Sequence, residues 1–307
     1  MDNIDRQLLD LLNNKMLFQN LRDKLGITNE ELINRLNKLK YRGYLLDRVY
    51  YEDRVYHHLV KQLPEVNPII TINHNSKDLR AVFISDFHIG STFDSPGKLH
   101  SIYNYCIQNK IHTIFVLGDI IEGTKYETNL RINDVETQVE NIIQEYPYDN
   151  SIYNYVLLGN HDYHSITNGS FDISKMLFDS RYDFVSLGYI EAIVKIYNSP
   201  ILLLHTNKDD SKIHEYLKKY PDIKFMAEGH FHQFHLETIR DSIIKLRVPT
   251  LSLDPRSPYA GAIDVTFANC FQDLIINPLV VEDSKVIPVG EICQKVLRKW
   301  IFFYANS

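Results

Sequence analysis

Residues 155–162 read YVLLGNHD, an apolar run that stops at a glycine, an amide, an imidazole and a carboxylate. The apolar run has the length and composition of a buried strand. Four other runs end in comparable residues: AVFISDFH at 81–88, TIFVLGD at 113–119, ILLLHT at 201–206 and IKFMAEGHFH at 223–232. Helix-length stretches lie among them, near 98–110, 131–146, 170–180 and 210–220. This alternation predicts stacked α/β layers.

The polar residues at these strand ends form a candidate metal site, because the carboxyl ends of strands in an α/β sheet border the crevice that binds ligands. Mixed His, Asp and Asn side chains suit Mn, Fe, Co, Zn or Ni, and the chain has no paired cysteines that would indicate a structural zinc site. Seven ligands with one shared carboxylate exceed the needs of a single ion. They would hold two ions about 3.5–4 Å apart, the spacing used in phosphoryl hydrolysis.

The motifs stand in a recognisable order: Asp86-x-His88, Gly118-Asp119, Gly159-Asn160-His161-Asp162, His205 and Gly229-His230-x-His232. This series resembles the calcineurin-like metallophosphoesterase superfamily over about residues 79–235. The resemblance implies a two-sheet sandwich flanked by helices and a dinuclear site that hydrolyses phosphoesters. It implies that the first ion is held by Asp86, His88 and His232. It implies that the second is held by Asn160, His205 and His230, with Asp119 bridging both.

The resemblance further implies that a hydroxide between the two ions attacks phosphorus and that His161, which holds no metal, assists the leaving oxygen. Manganese is the ion we expect, with Fe, Zn, Co, Ni or Mg as alternatives. Glu122 and Asp162 are either supports of this site or ordinary loop carboxylates. Lys125 and Arg131 either contact substrate phosphates or lie on a solvated helix face. His164 and His235 either line the cleft or are solvated or core side chains.

Residues 1–60 predict a separate unit of three short amphipathic helices followed by a β-hairpin. Gly26 is expected to end the second helix, and Thr28 with Glu31 has the spacing of a capping box at the start of the third. The pattern resembles a winged helix-turn-helix domain. Residues 61–78 hold two prolines and little periodicity, so we assign a linker there and a metallophosphoesterase domain to residues 79–307.

The role of the N-terminal unit has two alternatives. Its third helix carries basic residues that can reach DNA phosphates, namely Arg35, Lys38, Lys40 and Arg42. Its net charge is only about +1, however, and its hairpin tip at Glu52-Asp53 is acidic. We therefore expect either nucleic-acid contact or protein contact, the latter including a homodimer.

The motifs predict reaction type better than substrate. No arginine follows Gly118-Asp119, and Asp162 stands where protein phosphatases have Glu, whereas SDFHIGSTFD and GDIIEGTKYE look more like nuclease relatives. We expect a phosphodiesterase, with a DNA nuclease as the leading hypothesis. A small-molecule or nucleotide phosphoesterase is the enzyme alternative. The other class is a non-catalytic DNA-binding regulator that uses the domain as a scaffold.

The composition indicates which cellular compartment to expect for this protein. The 307 residues have a net charge of -6, with about -7 outside residues 1–60, and 44% are hydrophobic. No uninterrupted apolar stretch approaches the length of a membrane span, and the first residues carry acids where a signal peptide would be basic. Three widely spaced cysteines fit a reducing compartment. We therefore expect a cytoplasmic protein with no membrane partner.

Overall fold

The computed structural model describes residues 1–51, 54–59, 69–72, 76–125, 129–205, 210–240, 242–257, 259–290 and 292–295. The helices are α1 (Asn3–Leu12), α2 (Phe18–Leu25), α3 (Asn29–Tyr41), α4 (Pro96–Asn109), α5 (Val135–Glu145), α6 (Asn160–Gly169), α7 (Ile173–Ser180) and α8 (Asp210–Lys219). Two predicted features fall outside these ranges: the acidic hairpin tip at Glu52-Asp53 and much of the linker, at 61–68 and 73–75.

The strands follow in chain order. They are β1 (Met16–Leu17), β2 (Leu46–Tyr51), β3 (Arg54–Leu59), β4 (Ile70–Ile72), β5 (Leu79–Ile84), β6 (Thr113–Leu117), β7 (Tyr153–Leu158), β8 (Phe184–Tyr189), β9 (Glu191–Ile196), β10 (Ser199–Leu204), β11 (Phe225–Glu228), β12 (His235–Ile239), β13 (Ile243–Arg247), β14 (Gly261–Ala268), β15 (Asp273–Val281), β16 (Val286–Pro288) and β17 (Ile292–Lys295).

Two mixed sheets make up the larger part of the chain. One has the order β16-β15-β14-β5-β6-β7-β8, with β17 paired to β15, and the other has the order β12-β13-β11-β10-β9-β4. Strands β5 to β8 run parallel, as do β10 and β11. Within the predicted linker, Ile70–Ile72 form β4 and pair with β9 at the edge of the second sheet.

Strand periodicity sorts the apolar side chains into layers. In β5, Phe83 lies in the core between the two sheets, while Val82 and Ile84 face the helices on the other side. In the second sheet, Leu202 packs with residues of α8 on its outer face. The chain therefore has the α/β fold with mixed sheets and outer helices that the motif pattern predicts. In the part of the chain that the structure describes, no helix combines the length and apolar character of a bilayer span.

The N-terminal unit has its own core and sheet. Helices α1 to α3 bury leucines such as Leu8, Leu21 and Leu36, and a three-stranded sheet has the order β1-β3-β2. The predicted caps at Gly26 and Thr28 are confirmed, because Gly26 ends α2 in the left-handed conformation and Thr28 accepts a hydrogen bond from the Glu31 N–H. The Glu31 side chain bonds Arg35, so only the Thr28 half of the predicted capping box is observed. These residues thus form three helices and a hairpin pair, as their periodicity predicts.

This unit packs against the segment between α6 and α7. The Leu45 N–H donates to the Ser170 carbonyl at 2.8 Å, and the Asp172 N–H donates to the Gly43 carbonyl at 2.6 Å. The ring of Tyr44 meets that of Phe171 edge-on, with centroids 4.8 Å apart. Arg42 extends the contact through ion pairs with Glu136 and Glu140 of α5. The N-terminal unit is therefore joined to the helices that flank the strand ends.

Candidate metal centre

The strand ends bring the predicted motif residues together. Asp86 and His88 follow β5, Asp119 follows β6, and Asn160 begins α6 directly after β7. His205 follows β10 of the other sheet, and His230 and His232 follow β11. Backbone hydrogen bonds join these ends, with the Asp86 N–H donating to the Gly118 carbonyl at 3.0 Å. The two sheets therefore contribute to one site.

Left-handed backbone recurs at this site. Positive φ angles occur at Asp86 (57°), His88 (50°), Asp119 (50°), His230 (77°) and His232 (60°). Asp and His adopt this conformation more readily than bulky or β-branched residues, but it still costs about 1–3 kcal/mol per residue. Such turns redirect the chain at the ends of the strands, so that alternate side chains face inward. Strain of this kind is concentrated at functional sites.

The glycines that precede the motif residues are required by close packing. A Cβ atom on Gly118, whose φ is +85°, would lie 2.4 Å from Nδ1 of His205. A Cβ atom on Gly159 would lie 2.3 Å from Oδ1 of Asp119. Only glycine lets the backbones of these loops approach the neighbouring side chains so closely. This explains the Gly-Asp and Gly-Asn-His-Asp patterns in physical terms.

Asp86, His88 and His232 form one cluster, which we call the first half-site. Nε2 of His232 lies 3.3 Å from Oδ1 of Asp86 and 3.3 Å from Nε2 of His88. Nε2 of His88 lies 3.8 Å from the same Asp86 oxygen. One ligand atom from each residue falls within 4.8 Å of the others, which is the arrangement needed to hold a metal ion.

Asn160, His205 and His230 form the second half-site, and Asp119 lies between the two. Nε2 of His205 is 3.0 Å from Oδ2 of Asp119, and Nδ1 of His230 is 2.9 Å from Oδ1 of Asn160. The same Asp119 oxygen lies 4.0 Å from Nε2 of His88. Asp119, His205 and His230 also form a group that can hold an ion. All seven predicted ligands therefore lie in one continuous cluster.

The donor set fits divalent ions. Oδ1 of Asp86 and Nε2 of His205 are buried, and their polar neighbours include Nε2 of His232 at 3.3 Å and Oδ2 of Asp119 at 3.0 Å, which belong to the same cluster. Both atoms belong to the cluster, and nitrogen and oxygen donors of this kind suit borderline divalent metals. A cation in the first half-site would contact Oδ1 of Asp86, and one in the second would contact Nε2 of His205.

Charge in the cluster also favours cations. Burial opposes the charged form of His88, yet Glu122 and Asp119 raise its pKa to about 9. Burial likewise opposes the charged form of His205, but Asp119 and Asp86 raise its pKa to about 10. The carboxylates outweigh desolvation at both imidazoles. The negative potential that holds these protons will equally attract a divalent cation.

His161 lies beside the cluster with one ring nitrogen already committed. Its Nδ1 is 2.7 Å from the Glu122 carbonyl oxygen, so Nδ1 carries the proton, and Nε2 is 3.9 Å from Oδ2 of Asp119. The His161 backbone N–H donates to Oδ1 of Asp119 at 2.8 Å. The ring meets that of His88 edge-on, with centroids 4.7 Å apart. This geometry directs Nε2 towards the cluster.

The two carboxylates left open by the sequence have different surroundings. Glu122 places Oε2 2.8 Å from Nδ1 of His88, and Glu122, His88 and His161 form a third group of closely spaced donors. Asp162 is fully buried and accepts backbone hydrogen bonds from Ile120, Ile121 and Gly159. Glu122 therefore supports the site directly, while Asp162 ties together the loops that carry it.

The sequence of residues 79–252, more than half of the chain, matches the family model for calcineurin-like phosphoesterases. The chain belongs to the calcineurin-like phosphoesterase family. Membership makes the protein a metal-dependent phosphoesterase, an enzyme that uses divalent ions, as the motif order predicted. No protein with a curated description matches the chain significantly.

Several solved structures resemble this family member. Vps29 from Cryptosporidium parvum is 14% identical, with 72% of this chain and 100% of that chain covered and a TM-score of 0.43. A zinc complex of Vps29 from Entamoeba histolytica is 13% identical, with 70% and 99% covered and a TM-score of 0.42. The phosphoesterase Yfce from E. coli is 14% identical, with 69% and 98% covered and a TM-score of 0.42.

Sequence patterns did not identify one support of the phosphoesterase site. Asp254 lies beyond the stretch that matches the family, and its Oδ2 is 2.6 Å from Nδ1 of His232. Burial alone would raise the pKa of Asp254, but Arg256 and His232 hold it well below the usual range. The only local signal was the turn-forming Asp-Pro-Arg sequence, which does not indicate a contact with a residue 22 positions away.

The other candidate residues make ordinary contacts. Arg131 forms an ion pair with Asp94 at 2.5 Å, and Nζ of Lys125 lies 3.1 Å from Nε2 of His164. The His164 ring is 6.2 Å from that of His161, so this pair lies near the site without reaching the half-sites. His235 is half exposed beside Glu237.

Proposed function

We propose that the protein hydrolyses phosphodiester bonds at the two half-sites, with Asp119 shared between them and His161 assisting the leaving oxygen. The observation that carries the proposal is the convergence of His and Asp side chains from the strand ends of both sheets into groups whose ligand atoms lie within 4.8 Å of one another. Divalent ions, with manganese as the expected metal, supply Lewis-acid activation of water and phosphorus when bound.

His161 supplies what the ligands do not. Its Nδ1 bonds the Glu122 carbonyl, so Nε2, which faces the cluster, is the nitrogen that we propose exchanges a proton with a substrate. An imidazole protonated at Nε2 can donate to the departing oxygen and return to its neutral form. A scaffold without activity would have no use for this arrangement, so His161 favours the enzyme over the non-catalytic regulator.

DNA is the phosphodiester that we propose as substrate. The stretches SDFHIGSTFD and GDIIEGTKYE look more like those of nuclease relatives, and no arginine follows Gly118-Asp119 as it does in protein phosphatases. A small nucleotide phosphodiester is the second candidate, because the same centre can cleave either class.

We infer that residues 1–60 are a winged helix-turn-helix unit joined through residues 61–78 to a phosphoesterase domain at 79–307, to whose second sheet the linker adds β4. Three of the four basic residues named for the third helix of this unit are paired within the chain: Arg35 with Asp2 and Asp5, Lys38 with Asp5, and Arg42 with Glu136. A DNA phosphate would have to compete with these carboxylates for the cations, which reduces the gain from each phosphate contact. The pairing therefore favours protein contact, beginning with the unit's own phosphoesterase domain, over DNA contact.

The activity is tested on the full chain, loaded with Mn²⁺, against bis-p-nitrophenyl phosphate, p-nitrophenyl phosphate and labelled single- and double-stranded DNA. We expect hydrolysis of the diester and of DNA but not of the monoester. Cleavage of the diester alone would support the nucleotide candidate. Hydrolysis of none of these with any divalent ion would refute the proposed activity.

A charge variant tests the N-terminal unit. Each phosphate contact contributes about 0.9 to the slope of log affinity against log salt for duplex DNA. Lys40 is exposed on α3, and Lys218 is an exposed control on α8. We expect Lys40→Gln and Lys218→Gln to leave the salt dependence of DNA binding equally unchanged. A selective loss of about one phosphate contact in Lys40→Gln would show that the unit binds DNA.

A further inference from the structure

The half-site histidines are held by groups of different charge. Nδ1 of His232, in the first half-site, lies 2.6 Å from the Asp254 carboxylate. Nδ1 of His205, in the second half-site, lies 2.5 Å from the backbone carbonyl of Leu117. A carboxylate makes an imidazole a stronger metal ligand than a neutral carbonyl does, because it stabilises positive charge on the ring. The two half-sites should therefore differ in affinity.

Asp254 is itself fixed in place. Its carboxylate accepts hydrogen bonds from Nε of Arg256 at 2.9 and 3.0 Å and from the Arg256 backbone N–H at 2.9 Å. The Asp254 side chain is only 7% exposed, which leaves it little freedom to turn away from His232.

The loop at residues 250–257 also hydrogen-bonds backbone carbonyls of first-half-site residues. Ser257 Oγ donates to the His232 carbonyl at 2.9 Å, and Thr250 Oγ1 donates to the Asp86 carbonyl at 2.7 Å. Residues 250–257 thus contact the backbones of two of the three first-half-site residues, His232 and Asp86. Asp254 is the member of this loop that reaches a ligand side chain.

We propose that Asp254 is a positioning residue that holds His232 as a metal ligand and makes the first half-site the tighter of the two. The proposal rests on the metal centre of the proposed function. An ionised carboxylate only accepts hydrogen bonds, so it selects the His232 tautomer with the proton on Nδ1. That tautomer leaves the lone pair of Nε2 directed towards Oδ1 of Asp86, 3.3 Å away.

The Arg256 guanidinium offsets part of the charge of Asp254, but the first half-site has further carboxylates. In the first half-site, Nδ1 of His88 also lies beside a carboxylate, that of Glu122, at 2.8 Å. The second half-site instead includes Asn160, a neutral ligand, and its own carboxylate is only the shared Asp119. A divalent cation therefore meets more negative charge in the first half-site.

Asp254→Asn tests this role, because asparagine keeps the size of aspartate but can both donate and accept, so it no longer selects one His232 tautomer. Asp264→Asn is the matched control, because Asp264, on β14, is a buried carboxylate that pairs with Arg80 of β5. Mn²⁺ binding to each full-length, metal-stripped protein is measured by calorimetry. Nitrogen NMR of the histidine rings in the metal-free proteins reports the tautomer, with His232→Gln used to assign the signal.

We expect the native chain to bind two Mn²⁺ ions with unequal affinity. Asp254→Asn should lower the Mn²⁺ affinity of the tighter site about 10- to 100-fold and change that of the weaker site by less than about twofold. It should also give a mixture of the two His232 tautomers. Asp264→Asn should change neither readout. The proposal is overturned if Asp254→Asn leaves the affinity of the tighter Mn²⁺ site unchanged or weakens both sites equally. It is also overturned if Asp264→Asn shows the same losses, or if the native chain does not have two Mn²⁺ sites of distinct affinity.

These outcomes are separable from failure of the proposed function. If the native chain binds two ions unequally and Asp254→Asn weakens only the tighter site, the role of Asp254 stands even if no phosphodiester is hydrolysed. If substrates are hydrolysed while Asp254→Asn binds Mn²⁺ as the native chain does, the proposed activity stands and the role of Asp254 is refuted.

Discussion

Asp119 shows how much a single residue contributes at this site. One oxygen accepts the His161 backbone N–H at 2.8 Å, and the other lies 3.0 Å from Nε2 of His205. The same carboxylate thus fixes the first turn of α6 and faces both half-sites. Its left-handed backbone, with φ of 50°, is a local cost that the surrounding hydrogen bonds offset.

The first residue-scale prediction concerns His161. Replacing it with alanine removes the only ring that we propose as a proton donor but none of the seven proposed ligands. We expect His161→Ala to lower kcat about 10²- to 10⁴-fold while both Mn²⁺ ions remain bound. Steady-state kinetics and metal analysis measure the two effects. His164→Ala, one turn along α6, is the control and should retain most activity; metal loss in His161→Ala would contradict its role.

The second residue-scale prediction concerns Gly118. An alanine there places Cβ 2.4 Å from Nδ1 of His205 and must adopt a φ of +85°. We expect the strained backbone alone to lower the free energy of unfolding by about 1–3 kcal/mol, and the displaced His205 to weaken metal binding as well. Thermal unfolding with and without Mn²⁺ measures both. Gly26→Ala is the control, since no atom lies within 4 Å of that Cβ, although its φ of +64° carries similar backbone strain.

At the scale of elements, α3 is attached to α1 by buried charge. The Asp5 carboxylate, fully buried, lies 2.6 Å from Arg35 and 2.8 Å from Lys38. These contacts use the side chains that the helical pattern offered for DNA contact. A basic helix face in the sequence is therefore, in the fold, partly an interface between two helices.

This pairing predicts acid sensitivity of the N-terminal unit. Burial alone would raise the pKa of Asp5, but hydrogen bonds from Lys38 and Arg35 lower it below 3.8 overall. Because the folded pKa lies below the unfolded one, the stabilisation is present above about pH 4 and is lost as pH falls through the folded pKa. We expect helices α1 and α3 to lose amide protection on acidification, as measured by hydrogen exchange.

The control for that measurement is Asp5→Asn, which cannot titrate. Its N-terminal unit should be less stable at neutral pH and should lose less further stability between about pH 5 and pH 3. Equal acid sensitivity in the native chain and in Asp5→Asn would contradict the assignment of this effect to Asp5.

At the scale of the whole molecule, the N-terminal unit and the metal centre share structural elements. The unit packs on Phe171 and Asp172, which follow α6, and α6 begins with Asn160 and His161. Arg42 reaches α5, whose Gln138 side chain hydrogen-bonds both the N–H and the carbonyl of Gly123, beside Glu122. The unit therefore supports helices that carry or border the site.

Metal removal tests how far the centre stabilises the molecule. An ion that binds only the folded state stabilises it by about 2.7 kcal/mol at 100 times its Kd. Because the ligands come from both sheets, we expect chelation to lower the Tm of the whole sandwich, and added Mn²⁺ to restore it. Scanning calorimetry measures this, with Asp86→Asn as a control that should respond less to Mn²⁺. A Tm independent of metal would contradict the proposed centre.

The strands and the motif residues followed from the sequence because their signals are local. Phe83 alternates with Val82 and Ile84, and each polar motif stands where an apolar run stops, so the strands and their chemically active ends could be identified without a structure. The same local signals predicted the caps at Gly26 and Thr28. The local signals did not predict that α6 begins at Asn160, because only Gly159 separates the end of β7 from this helix.

Contacts between distant segments were decided only by the tertiary structure. Asp254 reaches His232, Arg42 reaches Glu136, and β4 joins the second sheet, although no local pattern specifies any of these partners. An ionic or hydrogen-bonding side chain can accept many partners, and strand order determines which of them comes within 3 Å. Periodicity specifies which side of an element is buried, whereas packing of the elements specifies what that side meets.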